Sequence, residues 1–66
     1  MKWYVIDFEQ GSGDVKTIYP DTINQAKQKF KNLGGTHVLF AMECNSEKNE
    51  QTNKTKEFQK ILKKTD

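Results

Sequence analysis

From Lys2 to Glu9 the side chains alternate with the two-residue period of a strand. Tyr4, Ile6 and Phe8 share one face, and Trp3, Val5, Asp7 and Glu9 share the other. The stretch "EQGSGD" then reads as a turn, because Gly11 and Gly13 accept backbone conformations closed to other residues. Val15 to Tyr19 predicts a second strand, which Pro20 ends by removing a ladder donor. After it the period changes to that of a helix, with Ile23, Ala26, Phe30 and Leu33 on one stripe. Thr22 and Gln25 have the spacing of a capping box, and Gly34-Gly35 stops the helix.

A third strand is predicted over Thr36 to Cys44, where Val38, Phe40, Met42 and Cys44 alternate with His37, Leu39, Ala41 and Glu43. Apolar residues on both of its faces imply burial on both sides, or one face kept for a partner. From Asn45 to Glu57 no apolar residue occurs. That stretch reads as a polar linker over 45–53, leading to a helix start supported by a Glu50–Lys54 pair. Phe58, Ile61 and Leu62 then mark a short amphipathic helix, lysine-rich, within 54–66.

These elements assemble as an α+β fold of order ββαβα, a single domain over 1–66 with a ββαβ core in 1–44. A hairpin followed by a crossover predicts a three-stranded sheet in the order 2-1-3, with the first strand central. The expected core is Tyr4, Ile6, Phe8, Ile18, Val38, Phe40 and Met42 under Ile23, Ala26, Phe30 and Leu33. The opposite face is expected to carry Trp3, Val5, Leu39 and Ala41, covered either by the C-terminal helix or by another molecule. The second and third strands would form the open edges, available for strand addition.

Size sharpens the question of what covers that face. A chain of about 60 residues buries only about 60% of the surface its unfolded form exposes. Cys44 is the only cysteine, so no internal disulfide adds stability, and with His37 as the only histidine no zinc-ligand pattern is complete. A second subunit or a protein partner is the remaining means of support. No cofactor is implied. The lone thiol, the lack of a charged-then-apolar leader and a longest apolar run of only Val38 to Met42 indicate a cytoplasmic protein with no membrane partner. "NKT" at Asn53 to Thr55 matches a glycosylation acceptor by chance on that reading.

The net charge of +2 does not announce a nucleic-acid protein, and all eleven basic residues are lysine. Arginine's planar fork, the usual reader of guanine edges, is missing. Two lysine groups still allow attraction to a nucleic-acid backbone: Lys27, Lys29 and Lys31, then Lys54, Lys56, Lys60, Lys63 and Lys64. The alternative is a solvated face that keeps a small protein soluble.

Catalytic chemistry has little to stand on. Asp7 and Glu9 point the same way from one strand and, with Glu43, Asp14 or Asp21, would form a magnesium site for phosphodiester hydrolysis. "YVIDFEQGSG" resembles the opening hairpin of ribonuclease-H-like folds, which run to about twice this length. Cys44 and His37 lie seven residues apart, roughly 23 Å in a strand, too far for a thiol nucleophile and its base. "GSG" lacks the Lys-Ser/Thr of a phosphate-binding loop.

The hairpin-helix-strand order of the first 44 residues resembles the N-terminal part of HicB-type antitoxins, in element order and without a shared motif. The resemblance implies a small regulatory protein, although the DNA-binding segment usual in that family has no counterpart beyond the lysine-rich tail. The leading expectation is a non-enzymatic regulator or inhibitor of a larger protein, of the kind carried by phages and other mobile elements. Its expected contact residues are Trp3, Val5, Asp7, Tyr19, Leu39 and Ala41. Nucleic-acid binding through Lys27, Lys31, Lys54, Lys56, Lys60, Lys63 and Lys64 is the alternative, and a metal-dependent phosphodiesterase the remote one.

Overall fold

The computed structural model describes residues 1–63, without the side chains of residues 62 and 63. Its elements run β1 (Lys2–Gln10), β2 (Asp14–Ile18), α1 (Ile23–Asn32), β3 (Gly35–Asn45), β4 (Glu50–Asn53) and α2 (Thr55–Lys63). The fold is α+β as expected, and β1 is central with β2 and β3 antiparallel on either side. The sheet has four strands rather than three, in the order β2-β1-β3-β4.

The extra strand lies inside the stretch read as a linker. Asn45 turns the chain there, its side-chain Oδ1 accepting from the amides of Glu47 (3.0 Å) and Lys48 (3.3 Å). Asn49 completes the turn at φ 51°, a conformation that asparagine tolerates better than most residues. Glu50 therefore pairs with Asn45 across the β3–β4 ladder and does not support a helix; Lys54 meets Glu57 instead, at 3.4 Å.

The local signals around α1 act as the sequence implies. Thr22 caps the helix, its Oγ1 accepting from the Gln25 amide at 3.1 Å. The Gln25 side chain reaches back one residue further than in a standard capping box, to the Asp21 amide at 2.8 Å. Gly34, at φ +70°, ends the helix in the left-handed region. Ala26 and Phe30 are buried, whereas Leu33, expected in the core, is the cap residue and 40% exposed.

The largest departure is in β3. Phe8 stands opposite Val38 and Asp7 opposite Phe40, so Leu39 has no partner on β1. This β-bulge reverses the alternation of everything after it, because a one-residue shift sends each side chain to the other face. Val38 and Ala41 both face the core, Ala41 fully buried against Ile6. Phe40 and Met42, expected in the core, turn to the opposite side and are only half-buried there. A second irregularity, at Thr36, lies between the Glu9–His37 and Gln10–Gly35 pairs.

One core forms, on the side of Tyr4, Ile6 and Phe8, and both helices contribute to it. Phe30 of α1 meets Phe8 with ring centroids 5.1 Å apart. Phe58 of α2 is 2% exposed and meets Tyr4 edge-on at 5.2 Å. Burial raises the Tyr4 phenol above its ordinary pKa of 10.0, helped by its 3.2 Å hydrogen bond to Glu43 and by the charges of Glu43 and Glu57.

The start of α2 also closes the edge of β3 that β4 is too short to cover. The Ala41 amide donates to Thr55 Oγ1 (3.0 Å), the Lys54 amide to the Ala41 carbonyl (2.8 Å), and Gln59 Nε2 to the Val38 carbonyl (2.7 Å). Backbone groups of Val38 and Ala41, on either side of the bulge, thereby gain partners. The open edges of the sheet are β2 and β4, not β2 and β3.

Gly35 is held to glycine by packing. A Cβ built on it would lie 2.5 Å from the Phe30 ring. Gly35→Ala is therefore expected to lower stability by about 1–3 kcal/mol in urea unfolding. Gly11→Ala, where a Cβ meets nothing within 4 Å, serves as the near-neutral control.

Candidate protein-binding face

Because both helices lie on one side of the sheet, no element of the described residues lies on the other. Its composition follows from the register. Gln51, Cys44 and Trp3 form one row across β4, β3 and β1, and Asn53, Met42 and Val5 form the next. Phe40, Asp7 and Thr17 make a third row, and His37, Glu9 and Val15 a fourth. The middle of this outer face is apolar: Trp3, Val5, Phe40 and Met42 are half-buried, and none of the described elements packs over them. Cys44 is 6% exposed between its neighbours Trp3 and Gln51.

Of the expected contact residues, Trp3, Val5 and Asp7 lie together on this face. Tyr19, one residue past β2, is 63% exposed; alternation beyond the buried Ile18 turns it to the same side. Ala41 does not belong, since it is in the core. Leu39 stands at the bulge, 44% exposed, in a shallow groove that it lines with Phe40, Asn53, Lys54, Lys56 and Glu57 among others. Phe40 and Met42 take the two vacated places. Only pairing data expose them, because an apolar bulge residue leaves the alternation in the sequence unbroken.

The polar groups of the face are few. Asp7 Oδ1 accepts from Thr17 Oγ1 at 2.7 Å, and Glu9 lies 3.7 Å from His37 Nδ1. The strand lysines, Lys2 and Lys16, alternate to the other side with Tyr4, Ile6 and Phe8. The outer face of the strands is thus acidic as well as apolar.

The lysines lie elsewhere. Lys27 and Lys31 are on α1, and Lys56 and Lys60 on α2, helices that lie on the core side of the sheet. Lys54, just before α2, pairs with Glu57, and Lys54 and Lys56 border the groove beside Phe40. The Lys63 side chain and Lys64 lie outside the described residues. The acids grouped above as a possible magnesium site are dispersed: Glu43 hydrogen-bonds Tyr4 on the core side, away from Asp7 and Glu9. Among the described residues no three His, Cys, Asp or Glu side chains gather as metal ligands. The bulge turns His37 and Cys44 to one face after all, yet at opposite ends of it, beside Glu9 and Trp3. Among the described residues no helix is long and apolar enough to cross a membrane.

The two sides of the sheet should respond differently to truncation. Phe58→Ala removes a fully enclosed ring and is expected to cost about 3–5 kcal/mol, enough to unfold much of a domain this small. Met42→Gln, on the outer face, is expected to change stability by less than about 1 kcal/mol. Chemical denaturation followed by circular dichroism separates the two cases.

Comparison with family models, curated proteins and solved structures finds no match to this chain, and the resemblance to HicB-type antitoxins rests on element order alone.

Proposed function

We propose that this protein is a non-enzymatic binding module that regulates or inhibits a larger protein through the outer face of its sheet. The observation that carries this reading is the layering. Two helices, both short, cover the same side, and a row-by-row apolar surface is left without a cover. On so small a molecule a contiguous apolar patch rimmed by polar groups marks an interaction surface more often than idle exposure. Trp3 at one end and Phe40 near the other are aromatic anchors of the kind that dominate binding energy. Gln51, Asn53 and Thr17 supply a polar rim.

A second reading is favoured by the segregation of charge. The strand lysines Lys2 and Lys16 and the two lysine-bearing helices lie on the core side of the sheet, with Lys56 at its border. Lys27, Lys31, Lys56 and Lys60 would follow a phosphate backbone. It requires no use of the outer face.

One experiment distinguishes them. The tagged protein, wild type or carrying Trp3→Ala or Phe40→Asp, is used to capture partners from its native host with and without nuclease treatment. The binding-module reading expects protein partners that survive nuclease and are lost from both variants. Capture that is unchanged by either substitution contradicts it. Capture that nuclease abolishes, and that Lys56→Gln with Lys60→Gln weakens, supports the nucleic-acid reading instead.

A further inference from the structure

Asp7 does not sit at the rim of the outer face. Its row lies next to that of Val5 and Met42, with Phe40 on one side of it and Thr17 on the other. Any surface laid over Val5, Met42 and Phe40 therefore covers Asp7 too. Its carboxylate accepts a hydrogen bond from the neutral hydroxyl of Thr17. Among the described residues no cation is paired with it. Glu9, in the next row between Val15 and His37, lies 3.7 Å from His37 Nδ1.

Covering a carboxylate without a counter-charge is costly. Taking an ion out of water is unfavourable and is offset only when a partner charge and hydrogen bonds meet it. A second copy of this chain is poorly suited to that task. Pressed face to face, two copies would set Asp7 and Glu9 against surfaces whose strands carry no lysine. The nearest lysines, Lys54 and Lys56, line the groove beyond Phe40 at the border of the face, and Lys54 is already paired with Glu57. The lysine-bearing helices of one copy reach the outer face of a neighbour only through a head-to-tail contact, which builds a ring or a filament and not a two-fold dimer.

We infer that the occupant of the outer face is a different protein, whose apolar surface carries a lysine or arginine that pairs with Asp7. The inference rests on the reading of this face as a protein-binding surface and adds the chemistry of the partner to it. Trp3, Val5, Phe40 and Met42 supply the contact area, while Asp7 fixes which apolar surface is accepted. An apolar partner without a base is rejected because it strands the Asp7 charge. Asp7 acts as the selector.

A random peptide library displayed on phage tests this with a defined probe. It is panned on the wild-type protein, and peptides that also bind Val5→Asp are discarded; Met42→Ser replaces that variant if circular dichroism shows it unfolded. Retained peptides are synthesised and titrated against the protein by the fluorescence of Trp3, the single tryptophan. The expected result is apolar peptides enriched in Lys or Arg that bind Asp7→Asn at least about tenfold more weakly. Face-dependent peptides with no excess of basic residues, or with equal affinity for Asp7→Asn, overturn the inference and leave the face reading standing. A library with no face-dependent peptide overturns both. A wild-type dimer in sedimentation that Val5→Asp dissociates identifies a second copy as the occupant and overturns the inference as well.

Discussion

Between Asp7 and Phe8, β1 advances by one residue while β3 advances by two, because Leu39 stands opposite nothing. Most of the molecule's arrangement depends on that extra residue. It allows Val38 and Ala41, three positions apart, to face the same core, which an unbroken strand forbids. It also sends two large side chains, Phe40 and Met42, away from the helices. The small Ala41 occupies the central position against Ile6, fully buried. A bulge that re-aims side chains at a sheet position is a recurrent device in proteins, and here it redistributes apolar surface between an enclosed side and an open one.

The helices are arranged around this geometry. A bulge disrupts the ladder and leaves backbone groups in need of partners. The first turns of α2 supply them through the Lys54 amide, the Thr55 hydroxyl and the Gln59 side chain. The same contact brings Phe58 over Tyr4, on the side already occupied by α1. One set of hydrogen bonds thus places α2 on the crowded side and leaves the other side bare. The exposed ladders are guarded in a different way. Strand β4 is four polar residues long, and Lys16 lies near the middle of β2, features that discourage edge-to-edge pairing. The sheet is more protected at its edges than on its outer face.

Much of the fold could be read in the sequence where a local cause is sufficient. The β1–β2 hairpin follows from Gly13, which takes φ +89°, while Gly11 does not need a glycine's freedom. Helix α1 follows from Thr22 and Gly34, and the central place of β1 from the crossover. Trp3, Val5 and Asp7 precede any irregularity, and their shared face was legible. What failed depends on contacts distant in sequence. Leu39 is apolar like its neighbours, so the pattern Val38-Leu39-Phe40-Ala41-Met42 carries no mark of where pairing skips. Strand β4 has no apolar residue to alternate, and its only sign is the turn chemistry of Asn45 and Asn49. The amphipathic character of α2 was visible in Phe58 and Ile61, but the side on which it docks is decided by the edge of β3.

Cross-strand proton contacts in a nuclear magnetic resonance spectrum test the central claim most directly. The bulge predicts backbone contacts that pair Phe8 with Val38 and Asp7 with Phe40, with no residue of β1 opposite Leu39. Contacts that pair Phe8 with Leu39 and continue without a skip would put Phe40 back in the core. That result would contradict both the layering and the binding face derived from it.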